Sequence, residues 1–94
     1  MKRIEIIFSQ AVEEDLDLLL STKGIKKYTK IPGVMGQGES IPKKGDSIWP
    51  QLNTIFIIYC NEEELEVLKT IITDLRNAYP MEGIATFISD ALEF

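Results

Sequence analysis

Polar and apolar residues alternate through Lys2-Arg3-Ile4-Glu5-Ile6-Ile7-Phe8, with Ile4, Ile6 and Phe8 on one side. A period of two predicts a strand over 2–8 with one buried face. Ile7 breaks the alternation, so the opposite face is expected to be partly apolar. The period then lengthens. Over 10–23, Val12, Leu16, Leu19 and Leu20 share one helical face, and Glu13, Glu14 and Asp17 lie largely on the other. Ser9 is the expected N-cap, and Gly24 after Lys23 supplies the stop. Residues 25–31, Ile-Lys-Lys-Tyr-Thr-Lys-Ile, read as a second strand. Pro32 has no N–H, which places that strand at a sheet edge or ends it there.

Residues 32–52 have no period. They carry Pro32, Pro42 and Pro50 and the glycines Gly33, Gly36, Gly38 and Gly45. A loop of that length inside a small domain tends to be functional or disordered. Thr54-Ile-Phe-Ile-Ile-Tyr-Cys60 is a nearly continuous apolar run, the pattern of a central covered strand. Over 61–79, Leu65, Leu68, Ile72, Leu75 and Tyr79 form a helical stripe. Asn61 with Glu64 matches a capping box, and Pro80 ends the helix. Residues 84–92 read as a fourth strand.

The resulting order is β-α-β-β-α-β. Right-handed crossovers in each half put both helices on one face of a four-stranded antiparallel sheet, the ferredoxin-like α+β plan. The other sheet face is left bare and is expected to be apolar, which predicts self-association. With 94 residues, the chain is expected to form a single domain over 1–94.

Composition then removes chemistry. There is no histidine, which excludes His-based triads and imidazole metal ligands. Cys60 is the one cysteine, so no disulfide and no structural zinc site can form within one chain. It ends a strand read as covered, where a small buried thiol is expected. With 10 Lys+Arg against 15 Asp+Glu, the net charge of −5 argues against bulk nucleic-acid binding. No apolar run reaches the length of a membrane span. The start, Met1-Lys2-Arg3-Ile4-Glu5, lacks a signal-peptide core, so a cytoplasmic location is expected. The acidic runs Glu13-Glu14-Asp15-Asp17 and Glu62-Glu63-Glu64-Glu66 are read as helix starts and solvated faces, not as metal loops. No pair of carboxylates is nominated as acid and base, so no enzyme activity is expected.

Three features remain as candidates. Gly33-Val34-Met35-Gly36-Gln37-Gly38 either offers backbone N–H groups to a phosphate or is a flexible loop base; its spacing fits neither a P-loop nor a dinucleotide fingerprint. The pairs Lys26-Lys27 and Lys43-Lys44 either meet an anionic ligand or partner or are solvated surface. Trp49, in Trp49-Pro50-Gln51-Leu52-Asn53, either anchors the loop base or stacks on a partner.

Taken in order, these features resemble the PII-like superfamily, which includes nitrogen-regulatory PII proteins and CutA-like proteins. The opening Met1–Ile7 resembles the first strand of PII proteins. Tyr28-Thr29-Lys30-Ile31-Pro32-Gly33-Val34-Met35-Gly36-Gln37-Gly38 resembles strand two running into the T-loop, here about 33–52. Asn77-Ala78-Tyr79-Pro80-Met81-Glu82-Gly83 occupies the place of the nucleotide-binding B-loop. The Pro-Gly-Val-x-Gly and Trp-Pro-x-x-Asn combination is closest to an uncharacterised short branch.

The resemblance implies a homotrimer with inward-facing sheets and small-ligand clefts between subunits. Thr29, Gly36, Gln37 and Gly38 would line one side of the cleft, and Glu82 and Gly83 the other. An adenine nucleotide is the ligand implied, coupled to a protein partner through the loop that carries Lys43, Lys44 and Trp49. The chain departs from the pattern at charged places. Glu39 and Ser40 stand where PII proteins carry arginine and glutamine, Ile84 replaces a B-loop lysine, and no C-terminal basic segment follows. No tyrosine lies between Gly36 and Asn53 to accept a uridylyl group. CutA-like metal binding lacks a histidine or second cysteine. The alternative is therefore a trimeric structural or binding module that has lost nucleotide binding.

Overall fold

The computed structural model describes residues 1–38, 45 and 52–94. The elements are β1 (Lys2–Ser9), a short 3₁₀ turn (Gln10–Val12), α1 (Glu13–Thr22), β2 (Thr29–Val34), β3 (Asn53–Cys60), α2 (Glu62–Ala78) and β4 (Ile84–Asp90). The sheet order is β2-β3-β1-β4, antiparallel at every pairing. This is the ferredoxin-like α+β arrangement expected from the element order.

The alternation in β1 and β3 decides what the sheet covers. Ile4, Ile6 and Phe8 of β1 and Phe56 and Ile58 of β3 are buried on one face. Val12, Leu16 and Leu20 around α1 and Leu65, Leu68, Ile71, Ile72 and Leu75 of α2 join them in one cluster. Both helices therefore lie on that face. Asn61 accepts from the Glu64 amide at 2.8 Å, and the Glu64 side chain accepts from the Asn61 amide at 3.1 Å. This closes the predicted capping box.

Strand two differs from the sequence expectation. It begins at Thr29, not Ile25, because Ile25 completes the end of α1. The Ile25 amide donates to the Leu20 carbonyl at 2.9 Å and the Gly24 amide to Ser21 at 3.1 Å. Those two bonds form a Schellman motif, with buried Ile25 and Leu20 as its apolar contact. Gly24 sits at φ 78° in its centre. A Cβ there would meet nothing within 4 Å, so only the backbone conformation opposes a side chain. Gly24→Ala is expected to cost about 1 kcal/mol, read as a lowered midpoint in urea unfolding.

The strand also runs past Pro32. β2 is an edge strand, so the missing N–H breaks no ladder in the sheet interior. Ile31 pairs with Ile55 and Val34 with Asn53, which leaves an extra residue on β2. Gly33, at φ 67°, takes up the resulting bulge. The first helix likewise opens with the 3₁₀ turn, capped by Ser9 accepting from the Ala11 amide at 3.3 Å. β4 ends at Asp90 rather than 92.

The face away from the helices is uncovered. Register places Ile7, Ile55 and Ile31 side by side across β1, β3 and β2. Tyr59 and Phe87 on this face are 54% and 59% exposed. It is not wholly apolar, since an Arg3–Glu5 ion pair of 2.9 Å sits on β1 among these residues.

Candidate functional site

The predicted ligand residues fall in three places. The C-terminal end of β2, the start of β3 and the start of β4 share one end of the sheet, because Val34 pairs with Asn53, Asn53 with Ser9 and Phe8 with Ile84. Gly36, Gln37 and Gly38 follow β2 at that end. A Cβ on Gly36 would lie 2.7 Å from the Asn53 Nδ2, so the bare backbone lets the Asn53 amide approach. Glu82 and Gly83 precede β4 at the same end but on the opposite edge. Three strand spacings of about 4.8 Å separate the two edges, roughly 14 Å.

The turn before β4 is held from two sides. The Glu82 amide donates to the Tyr79 carbonyl at 3.1 Å. Arg76, in the last turn of α2, donates from Nε and Nη2 to the Ile84 carbonyl at 3.2 and 2.9 Å. This fork fixes where the turn enters the strand. Ile84 itself points into the core and is buried.

Thr29 stands apart from both groups. It opens β2 level with Ile57, and the six-residue strand that separates it from the glycines spans roughly 20 Å. A cavity of about 770 Å³ lies beside it. Its wall includes Lys26, Lys27 and Tyr28 before β2, and Ile57 and Tyr59 from β3. Residues 91–93, beyond β4, form the remaining side. The single chain therefore brings Thr29 to a cavity, but not to the glycines or to Glu82. Lys43, Lys44 and Trp49 lie outside the described residues.

The strand that links the cavity to the glycines is anchored from the helix side. Tyr28 stacks on Phe56 with ring centroids 4.9 Å apart and planes 7° from parallel. The Lys30 ammonium sits 5.2 Å from the centre of the same ring. It also lies 3.1 Å from Asp17 and 3.4 Å from Glu13 of α1. Burial opposes the Lys30 charge, but these carboxylates outweigh it and hold its pKa above the ordinary value. Glu13 in turn accepts from the buried Thr54 hydroxyl.

Near the cavity, Lys2 is paired to Asp90 and lies 3.7 Å from Glu62. The hydrogen bond to Asp90 pushes the lysine pKa up and draws that of the carboxyl down. Cys60 is buried, as its place in β3 predicts. Desolvation, with Glu64 and Glu62 nearby, pushes its thiol up, away from the reactive thiolate. Among the described residues, no cluster of three or more His, Cys, Asp or Glu can hold a metal ion. No helix among them is long and apolar enough to cross a membrane.

Tyr59, Ile57, Asn53 and Arg76 were not singled out as site residues by sequence. Only strand register shows that Tyr59 and Ile57 face the cavity, and only the packed turn shows the Arg76 fork. Lys26 and Lys27 stand out in the sequence as a charged pair of the expected second strand, whereas β2 begins after them, at Thr29.

The Nitrogen regulatory protein P-II family model matches residues 1–93. No curated protein matches the chain. Among solved structures, CPII, a nitrogen regulatory PII-like protein from Thiomonas intermedia K12 bound to ADP, AMP and bicarbonate, superposes with a TM-score of 0.73 at 22% identity. The match covers 96% of this chain and 84% of that one. The apo form of CPII gives 0.64 at 20% identity, over 96% and 87% of the two chains. A PII-like signaling protein from Thermus thermophilus gives 0.61 at 22% identity, over 94% and 83%.

Proposed function

The chain belongs to the nitrogen regulatory P-II family, and on that premise we propose that it is a non-enzymatic regulatory protein that works as a homotrimer. One domain over 1–94 packs its uncovered sheet face against two copies. A small anionic ligand binds in clefts between subunits, and its occupancy biases the loop 33–52, which contacts a protein partner in the cytoplasm.

The separation of the candidate residues carries this reading. Thr29 with its cavity, the glycines after β2 and Glu82 before β4 lie in three places, too far apart in one chain to hold one small ligand. A neighbouring copy can bring one group to another, and the uncovered Ile7, Ile55 and Ile31 give copies a reason to associate. β2 joins Thr29 to the glycines and leads directly into the loop, so a ligand that prefers one arrangement of β2 shifts the loop with it. CPII, similar in fold, binds ADP, AMP and bicarbonate, which makes these the first ligands to try.

Ile84 supports a second reading. It replaces a lysine expected from the family resemblance, and its side chain is in the core, where it offers nothing to a phosphate. On that reading the trimer persists as a binding module without a nucleotide. A thermal-shift titration with ADP, AMP and bicarbonate separates the two. A ligand at about 100 times its Kd adds about 2.7 kcal/mol of native-state stability, seen as a clear rise in Tm. A trimer whose Tm responds to none of the three is the module without the switch.

A further inference from the structure

We propose that the first turn of α1 is a coupling element: Glu13 and Asp17 position the β2–β3 pair, Asp15 positions the turn before β4, and a shift at one is felt at the other. The candidate glycines follow β2, while Glu82 and Gly83 sit in that turn, on the opposite edge of the sheet. This coupling goes beyond the reading above, since it needs neither a ligand nor a partner copy, and it joins the two edges within one chain. The acidic run that sequence assigns to a helix start and a solvated face carries it. Successive residues of a helix turn by about 100°, so Glu13 and Asp17 share a face and Asp15 stands about 200° round from Glu13. One turn of helix therefore reaches two neighbours.

On one side, Glu13 holds both strands of the pair. It accepts from the Thr54 hydroxyl of β3 and lies 3.4 Å from the Lys30 ammonium of β2. Asp17 lies 3.1 Å from the same ammonium through Oδ2. Its Oδ1 is buried without a partner, which makes the Lys30 contact costly to lose. The Gln10 amide, in the 3₁₀ turn that opens the helix, donates to the Leu52 carbonyl just before β3 at 3.0 Å. On the other side, Asp15 accepts from the Tyr79 hydroxyl. Tyr79 packs against the core cluster, and its carbonyl accepts from the Glu82 amide at 3.1 Å. Among the described residues, no hydrogen bond or ion pair joins Lys30 to Tyr79 directly. The element they share is α1, whose backbone bonds make Glu13, Asp15 and Asp17 move together.

Amide hydrogen exchange of the full chain without ligand, followed residue by residue by NMR, tests this. K30M keeps most of the side-chain length and removes the charge, and Y79F removes only the hydroxyl. K30M should quicken exchange of the Glu82 amide, and Y79F that of the β2 amides, each about threefold, near the low end of coupling between sites. In the double variant the two effects should fall short of their product, as for residues that act through one element. K30R, which keeps the charge, should restore the Glu82 rate. K69Q, which breaks the Lys69–Glu66 pair on α2, should leave both sides alone. If each substitution acts only on its own side, if the two effects simply multiply, or if Leu68 and Ile71 in the middle of α2 quicken as much, α1 couples nothing. Such a result leaves the ligand-responsive reading in place, because exchange is measured without ligand. A thermal-shift titration that stays flat removes that reading and leaves the coupling standing.

Discussion

Phe56→Ala is expected to remove about 3–5 kcal/mol of stability. That is a large part of the roughly 5–15 kcal/mol available to a typical domain. Phe56 is fully buried at the point where the sheet, the first helix and the edge strand meet. Its ring stands edge-on to Phe8, with centroids 5.2 Å apart and planes at 82°. Tyr28 stacks on the ring, and the Lys30 ammonium lies above it. Alanine would leave a cavity under all three. The loss should be read from urea unfolding, with Phe56→Leu costing about 1–2 kcal/mol because most of the volume is kept.

The same substitution should loosen β2 selectively. Tyr28 and Lys30 flank Thr29, so both side chains that tie the start of β2 to the core lose their platform. Amide hydrogen exchange in β2 should then quicken more than in β1 or β4. Unchanged β2 protection would mean that the ion pairs of Lys30 with Glu13 and Asp17 hold the strand without the ring.

What could be read from the chain follows how local each signal is. The alternation of Ile4, Ile6 and Phe8 and the Asn61–Glu64 box depend on neighbours a few residues away, and both appear as expected. The start of β2 was misplaced because Ile25 fits two roles by composition. A β-branched apolar residue can open a strand or close a helix motif, and only its amide partner decides. The bulge at Pro32 and Gly33 was also hidden, since a register shift belongs to the strand pair rather than to either strand. The candidate site residues come from the family resemblance, and where each of them stands in one chain is set by strand register. The family resemblance places Thr29 with Gly36, Gln37 and Gly38 on one side of a cleft between subunits. Within one chain the extended β2 separates Thr29 from the glycines, a distance that follows from strand geometry and not from spacing in sequence.

Ile55→Glu is expected to convert the proposed trimer to a monomer. Ile55 lies between Ile7 and Ile31 on the uncovered face, away from the helices and outside the cavity wall. In a lone chain the new carboxylate would face water, so folding should survive at a cost near the span of strand propensities, about 1 kcal/mol. In the trimer, three carboxylates would be buried among apolar residues with like charge nearby. Each buried, unpaired charge costs several kcal/mol, more than an apolar contact of that size returns. The Arg3–Glu5 pair on the same face does not relieve this, because Arg3 already has its carboxylate at 2.9 Å. Sedimentation equilibrium should therefore give a trimer for the parent and a folded monomer for the variant, with far-UV circular dichroism retained. If the variant still sediments as a trimer, the copies meet through another surface. The cleft would then have to be rebuilt from whichever edges are in contact.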